Sequence, residues 1–543
     1  MTARTLISEY PELPPINEKT IPEYVLARAK FHAAQGKELW LVDGLTNEKR
    51  YYNKFDEETR KIASGFYKLG LRKGDIVLFM TRDLSKHDLM LTGVWRANGT
   101  MGASYPDDNA DTILHRMKEY GSKIMVCEEE TVDLCKVVAD KLASSNITIL
   151  TVNRSNSTTY SLQLFLEEDD GSDCPEIEVT ANDPALILCT SGTTGMPKSA
   201  VHSHGSFLYQ IRSLELLPVT TAKPNLYATK ATHASGSTLG FVLLAIGKTA
   251  VVVSNLTLES IISAVNKYQP GFIFAFPAFL VEMANAQAYG HDFSSIETIF
   301  TAGAVITPTM RDHLHKLPNL KDLAVSFGLT EIRLLTYGIS SLEKGSDKKS
   351  NGIRNQLLPD FSVGKPFTGT VLQIRNPDTL EILGPDQQGE ICAKAPGLFL
   401  HYLNNPEETN KVFVDGYFRT GDIGYYDENG FVYVVDRMKE IFKYYNNHIS
   451  PSELENVIGK HPKVKEVCVI GIPDVGGHVP RAFVTVHSYT GAKKELEEEL
   501  KDFANSKLAT YKHLSGGVYI VDKLPRGKSG KMSRQLAERL PIP

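Results

Sequence analysis

The chain has 543 residues, and because a single hydrophobic core stops growing well below that length, it should divide into several lobes. Its 59 basic and 64 acidic residues give a net charge of −5, which provides no basic surface for nucleic acid or anionic lipid. The longest apolar runs, such as residues 249–253, fall short of the roughly 18 residues that a membrane span requires. Residues 1–10 lack the apolar centre of a signal peptide, and residues 540–543 lack a Ser-Lys-Leu peroxisomal address, so we expect a cytoplasmic protein.

Helical and strand signals alternate through the first half of the chain. Residues 55–69 carry apolar side chains at helical spacing, and residues 76–80 form an apolar run that predicts a buried strand. This alternation predicts an α/β fold. The cysteines show no paired metal-binding spacing, and we expect buried free thiols at Cys127, Cys135, Cys174, Cys189, Cys392 and Cys468.

A loop rich in hydroxyl groups and glycine, residues 190–198, comes directly after the strand-like run 185–189. A strand that ends in small residues exposes backbone N–H groups, and the hydroxyls and the lysine add donors that suit a polyphosphate. It is not a Walker A loop, because Pro197 stands where that motif requires glycine. An ordinary Gly/Ser/Thr loop is the alternative to a nucleotide triphosphate cradle. The residues of the predicted cradle are Thr190, Ser191, Gly192, Thr193, Thr194, Gly195 and Lys198.

In the second half of the chain the alternation of helical and strand signals ends. Residues 341–359 have almost nothing to bury and predict a surface loop, whereas residues 363–435 are rich in strand signals. Within this segment the sequence Asp-Glu-Asn-Gly at 427–430 predicts the turn of a hairpin that joins 423–426 to 431–434.

Four further segments follow the loop in a fixed order. They are 326–331 (Ser-Phe-Gly-Leu-Thr-Glu), 417–422 (Tyr-Phe-Arg-Thr-Gly-Asp), 436–443 (Asp-Arg-Met-Lys-Glu-Ile-Phe-Lys) and 525–531 (Pro-Arg-Gly-Lys-Ser-Gly-Lys). Together with the loop, this set resembles the adenylate-forming superfamily, which includes acyl-CoA synthetases, 4-coumarate-CoA and other aryl-CoA ligases, beetle-type luciferases and peptide-synthetase adenylation domains. The resemblance covers nearly the whole chain, and five motifs in one order are far more specific than any one of them.

The resemblance implies two domains. A large N-terminal adenylation domain, residues 1–438, contains two α/β lobes and a small β-barrel, and it binds ATP and the acyl group. A small, mobile α+β lid, residues 439–543, rotates between two catalytic poses. The sequence itself supports a compact module after Lys439, because Ser450, Pro451 and Glu453 predict a helix start with Ser as N-cap.

The resemblance also implies ATP, Mg²⁺ and coenzyme A as cofactors and co-substrate. Thr330 contacts phosphate, Glu331 binds the metal ion, and Asp422 accepts the ribose hydroxyls with help from Arg437. The plainer alternatives are a helix N-terminus for Thr330 and Glu331, an exposed turn carboxylate for Asp422, and for Arg437 a simple ion pair with Asp436 or another carboxylate. Further nucleotide-binding positions are implied at Gly303, Ala304, Ser326, Phe327 and Gly328.

Two lysines serve the two poses of the lid in this family. Lys531 bridges the substrate carboxylate and the phosphate during adenylation, Lys443 reaches the site in the second pose, and Lys439 holds the hinge position. His233 matches a histidine that borders the acyl pocket and helps to gate it. Solvated surface lysines and a satisfied structural histidine are the alternatives.

Several residues depart from the family pattern. Ser235 replaces a phenylalanine carried by many relatives with flat aromatic substrates, which argues against a luciferin-like substrate. Ser199 replaces a glycine, a change that should be tolerated. Arg333 replaces a small or hydroxyl residue and could receive a second acidic group on the substrate, or could simply be a surface or ATP-facing arginine. Asn446 replaces the glycine usual beside the pantetheine tunnel, which puts thiol transfer to CoA in question.

We therefore predict a carboxylic acid:CoA ligase that forms an acyl-adenylate, releases pyrophosphate and makes a thioester, with a fatty or aryl-aliphatic acid as substrate. We expect a monomer or weak homodimer with no nucleic-acid partner. The rival hypotheses are an adenylating enzyme that loads a separate carrier protein or an amine, and a luciferase-like oxidative enzyme. A non-catalytic binding protein is disfavoured because every motif carries its charged residues.

Overall fold

The computed structural model describes residues 3–142, 146–190, 197–217, 219, 221–314, 316–341, 349–350, 353–354, 358–445, 447–487, 489–527 and 531–542. The α-helices are α1 (Ile21–Ala34), α2 (Phe55–Lys68), α3 (His87–Arg96), α4 (Ala110–Tyr120), α5 (Val132–Lys141), α6 (Leu162–Glu168), α7 (His204–Leu214), α8 (Gly236–Ala245), α9 (Leu258–Tyr268), α10 (Pro277–Ala288), α11 (Pro308–Leu314), α12 (Pro406–Lys411), α13 (Pro451–Ile458), α14 (Lys493–Asn505) and α15 (Arg534–Ala537).

The strands are β1 (Leu6–Ile7), β2 (Leu39–Asp43), β3 (Lys49–Tyr51), β4 (Ile76–Met80), β5 (Thr100–Ala103), β6 (Ile124–Cys127), β7 (Thr148–Thr151), β8 (Tyr160–Ser161), β9 (Pro184–Cys189), β10 (Ser199–Ser203), β11 (Asn225–Tyr227), β12 (Ala250–Val252), β13 (Phe272–Phe274), β14 (Thr298–Ala302), β15 (Asp322–Phe327), β16 (Thr336–Ser341), β17 (Lys349–Ser350), β18 (Ile353–Arg354), β19 (Lys365–Pro366), β20 (Val371–Arg375), β21 (Gly389–Lys394), β22 (His401–Tyr402), β23 (Phe413–Val414), β24 (Tyr417–Tyr426), β25 (Val432–Arg437), β26 (Phe442–Tyr444), β27 (Asn447–Ile449), β28 (Val464–Asp474), β29 (Gly477–Val486) and β30 (Val518–Ile520).

The first lobe is built on an eight-stranded sheet in the order β22-β10-β9-β5-β4-β6-β7-β8. The six strands β9, β5, β4, β6, β7 and β8 are parallel to one another, and β10 and β22 add an antiparallel edge next to β9. Val77 and Phe79 of β4 enter one core, whereas Leu78 and Met80 enter another that includes side chains of α4 and α5. Because both faces of the strand are covered, the run 76–80 is continuously apolar.

The second lobe is a nine-stranded sheet in the order β19-β16-β15-β14-β13-β11-β12-β2-β3, parallel from β15 to β2. The largest core lies between this sheet and the first one. It contains side chains of α1, α3, α7 and α8, among them the fully buried Trp95, Phe207 and Phe241. The two α/β lobes are therefore packed through a shared layer of helices.

The segment rich in strand signals forms a six-stranded antiparallel sheet, in which β20, β21 and β24 are central and β25 pairs with β24. The predicted hairpin is confirmed, because Tyr426 of β24 pairs with Val432 of β25 across a turn in which Gly430 has a φ of +81°. Glycine is favoured there because L side chains rarely adopt such a φ.

The C-terminal module has its own sheet, in the order β27-β26-β29-β28, with β30 parallel to β29. Leu454 and Ile458 of α13 and Leu496 and Leu500 of α14 pack on it to form a separate core. The predicted helix start is confirmed: the Ser450 side chain accepts a hydrogen bond from an N–H of the first turn of α13.

Most local predictions agree with the structure. The predicted helix is α2 and the predicted strand is β4. All six cysteines are free, and all but the half-buried Cys174 are buried. The predicted loop 341–359 contains a ribbon of two short strands, β17 and β18, in which Ile353 is the single apolar residue, so the pair gives no strand signal. Within the described ranges, no helix is long and apolar enough to cross a bilayer.

Candidate active site

The carboxyl ends of β13, β14 and β15 meet at one edge of the second sheet, where open α/β sheets bind their ligands. Ala302 lies beside Ser326 in the register of β14 and β15, so the segments that begin at Gly303 and Phe327 leave the sheet together. Gly303 has a φ of +91° and is exposed at this edge, as is Ala304. Gly328 is required for space, since a Cβ there would lie 1.7 Å from the carbonyl oxygen of Arg333.

The predicted phosphate cradle is described only at its base. The Thr190 N–H donates to the Lys198 carbonyl (2.9 Å), and the Lys198 N–H donates to the Thr190 hydroxyl (3.2 Å). These two bonds close the loop, whereas Ser191, Gly192, Thr193, Thr194 and Gly195 lie outside the described residues.

The Lys198 ammonium, at the base of the loop, has protein partners of its own. Its Nζ pairs with the Glu408 carboxylate at 2.5 Å and lies 4.7 Å from the centre of the Tyr402 ring. The hydrogen bond from Lys198, followed by that from Lys411, lowers the pKa of Glu408 to about 2. The acid of this pair therefore remains ionised across the physiological range, and it competes for the lysine with any bound phosphate.

Glu331 is a buried acidic residue, connected to the Lys198 end of the predicted cradle through Tyr402. Tyr402 donates from its hydroxyl to Oε1 of Glu331 (2.6 Å), and the Phe399 N–H donates to the Glu331 carbonyl (2.7 Å). The neighbouring Thr330 carbonyl is 2.9 Å from Nε2 of His202, a ring whose pKa is held well below its ordinary value by burial. These partners fix the orientation of both predicted site residues.

Glu331 fits the way in which Mg²⁺ is usually bound. That ion takes one or two carboxylates together with substrate phosphates and retains water, and it does not need a cage of protein ligands. In the described ranges no group of three or more His, Cys, Asp or Glu residues is arranged to hold a metal ion. A buried, oriented carboxylate beside the predicted cradle is compatible with such a site.

Asp422 and Arg437 are cross-strand partners on β24 and β25, with Arg437 Nε 2.7 Å from Asp422 Oδ1. Asp422 is only 3% exposed, and its second oxygen, Oδ2, has no hydrogen-bond partner among the described residues. Burial raises the pKa of Asp422 to about 6, against the opposing charges of Arg437 and Lys531. An enclosed carboxylate with one free oxygen is suited to accept a ligand hydroxyl.

Lys531, from the C-terminal module, extends into this cleft. Its Cε and Nζ lie 3.3 and 3.5 Å from the position that a Cβ would take on Gly303. Much of the residue faces solvent, but desolvation of its ammonium lowers the pKa, Arg437 adds to the lowering, and Asp422 opposes it. The C-terminal module is thus placed with this lysine in the cleft.

His233 lies next to Lys531, against the ring of Phe276 at a centroid distance of 5.4 Å and in an edge-to-face arrangement. Its Nδ1 is 2.9 Å from the Ser235 hydroxyl. Desolvation, followed by the charges of Lys531, Lys230 and Arg333, lowers the pKa of His233 to about 3. The imidazole is therefore neutral at physiological pH and surrounded by cations.

The other predicted lid residues are elsewhere. Lys443 is exposed on β26, and Lys439 is exposed in the connection between β25 and β26. Asn446 lies outside the described residues, so its effect on a pantetheine tunnel stays a prediction.

Sequence reasoning missed a cluster that joins the lid to the end of β25. The Asp436 carboxylate accepts from the Ser450 hydroxyl (2.8 Å) and the Ser452 N–H (2.9 Å), and it lies 3.5 Å from Arg534 Nη1. We call Asp436, Ser450, Ser452 and Arg534 the clasp. Asp436 is in one of the recognised motifs and Ser450 is in the predicted helix start, but nothing in the sequence pairs Asp436 with α13 and α15.

The fold is similar to those of proteins solved with ATP or with an acyl-AMP bound. ATP-bound MatB from Rhodopseudomonas palustris superposes with a TM-score of 0.81 at 22% identity, covering 95% of this chain and 98% of that one. An anthranilate CoA ligase, AuaEII, solved with anthranoyl-AMP, gives a TM-score of 0.84 at 18% identity over 97% of this chain and 98% of that one.

Sequence comparison identifies the family. Residues 31–403 match the AMP-binding enzyme family, and residues 453–531 match the AMP-binding enzyme C-terminal domain. The chain belongs to the AMP-binding enzyme family. A probable 4-coumarate--CoA ligase 2 of Dictyostelium discoideum is 28% identical over 97% of this chain and 96% of its own length. The 4-coumarate--CoA ligase 3 of rice, Oryza sativa subsp. japonica, is 28% identical over 97% and 93%.

Proposed function

We propose that the protein is an ATP- and Mg²⁺-dependent carboxylic acid:CoA ligase. In the first step a carboxylate oxygen attacks the α-phosphorus of ATP, the bond to the β-phosphate oxygen breaks, and pyrophosphate leaves. In the second step the sulfur of CoA attacks the acyl carbon, the bond to the phosphate oxygen breaks, and AMP leaves while the thiol proton passes to solvent. The product is an acyl-CoA thioester.

The observation that carries this proposal is the convergence of Lys531, Gly303, Asp422 and Arg437 on one cleft. Two anions must meet in the adenylation step, so fixed positive charge is the main requirement, and one well-placed donor is worth about 3 kcal/mol in a dry site. Lys531 supplies that charge where the carboxylate and the α-phosphate would meet, while Asp422 has a free oxygen for the ribose.

The phosphate side of the cleft supports the same chemistry. Lys198 and Thr190 would hold the β- and γ-phosphates together with the loop between them, and Glu331 would hold the metal ion. Mg²⁺ bound there neutralises charge that develops on the phosphate oxygens. Thr330, Ser326, Phe327, Gly328 and Ala304 would shape the nucleotide site.

The lid would supply the second step. The boundary at 438/439 and the rotation about Lys439 remain our proposal, supported by the separate core of the C-terminal module and by the gap between the two family matches. In the second pose Lys443 would enter the cleft in place of Lys531, and Asn446 would lie beside the pantetheine.

A panel of carboxylic acids, assayed for pyrophosphate release with and without CoA, tests the proposal. We expect release to depend on ATP, Mg²⁺ and an acid, and we expect AMP and an acyl-CoA to accumulate in equal amounts when CoA is present. Pyrophosphate release without acyl-CoA would instead identify an enzyme that loads a carrier protein or an amine, and no release with any acid would contradict the proposal.

A further inference from the structure

Arg333 occupies an unusual position in the turn after β15. Its backbone has a φ of +56°, and its carbonyl oxygen is packed against Gly328. The side chain lies between α7 and α8: Cζ is 3.8 Å from the centre of the Phe207 ring, and Nη1 donates to the Thr238 hydroxyl at 2.8 Å. A positive φ is uncommon for a residue of this size, so the surrounding packing holds the side chain in this direction.

The guanidinium has unused hydrogen-bonding capacity. Among the described residues, the enclosed Nε and Nη2 have no hydrogen-bond partner, and no carboxylate lies within ion-pair distance of the guanidinium. Burial lowers the pKa of Arg333 to about 9. A buried charge without a counter-charge is costly, and stacking on one aromatic ring recovers only part of that cost. The planar guanidinium is the side chain best shaped to hold a carboxylate through two parallel hydrogen bonds.

Arg333 also lies close to the reaction site. The Thr238 hydroxyl that accepts from Arg333 donates in turn to the carbonyl of Ala234, the residue that follows His233. Desolvation chiefly, and then the charges of Lys531 and Arg333 among others, lower the pKa of His233. Lys531 approaches from the side of Gly303, where the reacting carboxylate would bind, whereas Arg333 approaches from the side of α7 and α8. An acid that reaches past His233 would meet a second, unpaired cation.

We propose that Arg333 binds a second carboxylate of the acyl substrate, so that the preferred substrates are dicarboxylic acids activated at one end only. One carboxylate would react beside Lys531 while the other remains ionised against the guanidinium. The inference rests on the proposed ligase function and narrows its substrate class from fatty or aryl-aliphatic acids in general to those that carry a second acidic group.

Matched pairs of substrates test this inference. Dicarboxylic acids of three to ten carbons and their monomethyl esters have closely similar shape, but the ester lacks the second charge. With CoA present we expect kcat/KM for pyrophosphate release to favour at least one diacid over its monoester by about tenfold or more, in keeping with a hydrogen bond to a charged group.

Three variants separate recognition from structure. Arg333→Met should lower kcat/KM for the diacid on the order of 10², chiefly through KM, and lower it for the monoester far less. Arg333→Lys should give a kcat/KM for the diacid between those of the unsubstituted enzyme and Arg333→Met, because lysine keeps the charge but lacks the planar guanidinium. Arg154→Met, which removes an exposed arginine of the first lobe, is the matched control and should not change the preference.

Two results would overturn the inference: no diacid preferred over its monoester by the unsubstituted enzyme, or an equal loss for diacid and monoester in both the Met and Lys variants. If no acid supports pyrophosphate release, the proposed function fails. Calorimetric titration of the unsubstituted protein then decides the inference separately, since tighter binding of a diacid than of its monoester would support it and equal binding would refute it. The same titration replaces the kinetic assay if the Arg333 variants do not fold.

Discussion

The two lysines of the C-terminal module lie in contrasting surroundings. The Lys531 ammonium is in the cleft, on a loop closed at its base by a hydrogen bond from the Gly527 N–H to the Lys531 carbonyl. Lys443 is exposed on β26, a strand held in the C-terminal sheet by its pairing with β27 and β29. Because the two lysines are on separate elements of one module, the presence of Lys531 in the cleft favours a mechanism in which the whole module must move before Lys443 can enter.

The largest effect should come from replacing Lys531 and Lys443 one at a time, which tests whether each lysine serves a different half-reaction. Lys531→Ala should reduce adenylation by on the order of 10² or more, because a charge that acts on the transition state is lost, while transfer to CoA from a supplied acyl-adenylate should persist. Lys443→Ala should show the reverse. Rapid-quench measurement of the two half-reactions checks this, with Lys494→Ala, which removes an exposed lysine of α14, as a control. Equal loss of both half-reactions in both variants would contradict the two-pose mechanism.

The next test concerns the carboxylate that faces Lys531. Asp422 has a raised pKa, about 6, so it takes up a proton as the pH falls through that value and loses its acceptor strength for the ribose. We therefore expect kcat/KM for ATP to fall below about pH 6, since this ratio reports the free enzyme. Asp422→Asn should lower kcat/KM about tenfold to a hundredfold at pH 7.5 and abolish that part of the pH dependence.

If kcat/KM for ATP still falls below about pH 6 in Asp422→Asn, a group other than Asp422 is responsible for that fall. The control is Asp427→Asn, which changes an aspartate in the β24–β25 turn that accepts hydrogen bonds from Asn429 and Phe431. Asp427→Asn should leave the pH dependence of kcat/KM for ATP unchanged.

Sequence reasoning succeeded where the signal was local. The hairpin turn at 427–430, the helix cap at Ser450 and the apolar run of β4 each depend on neighbouring residues, and all three agree with the structure. The motifs that suggested an adenylate-forming enzyme are likewise short, and the family matches confirm that identification.

It failed where the contact joins distant parts of the chain. Glu331 is held by Tyr402, 71 positions away, and Lys198 by Glu408, 210 positions away. The unpaired state of Arg333 depends on α7, α8 and the turn after β15 together, so the sequence left its substrate-binding and plainer interpretations open. Such contacts are set by tertiary packing, and a single sequence has no periodicity that reports them.

A smaller effect should come from the clasp, which holds the module in the pose that places Lys531 in the cleft. Asp436→Asn removes the charge that faces Arg534 and should shift the population of poses. We expect adenylation to fall about tenfold, equivalent to about 1.4 kcal/mol, and transfer to CoA to be unchanged or faster. The matched variant is Glu440→Gln, which removes a carboxylate 3.7 Å from Arg534 Nη1 and should lower adenylation less than Asp436→Asn does. Equal slowing of both half-reactions by Asp436→Asn would show that the clasp only stabilises the fold.

The smallest effect should come from the lysine on the opposite side of the cleft. Lys198 is paired with Glu408 in the structure, so the carboxylate must release the ammonium when phosphates bind. Ion pairs this exposed contribute about 0–1 kcal/mol, so Glu408→Gln should lower the KM for ATP by no more than about fivefold. The difference in the KM for ATP between Glu408→Gln and the unsubstituted enzyme should shrink as ionic strength rises, because salt screens exposed charges. Glu407→Gln, one residue away and without an ion pair to Lys198, is the control. A rise in the KM for ATP in Glu408→Gln would instead mean that this carboxylate orients Lys198 toward the phosphates.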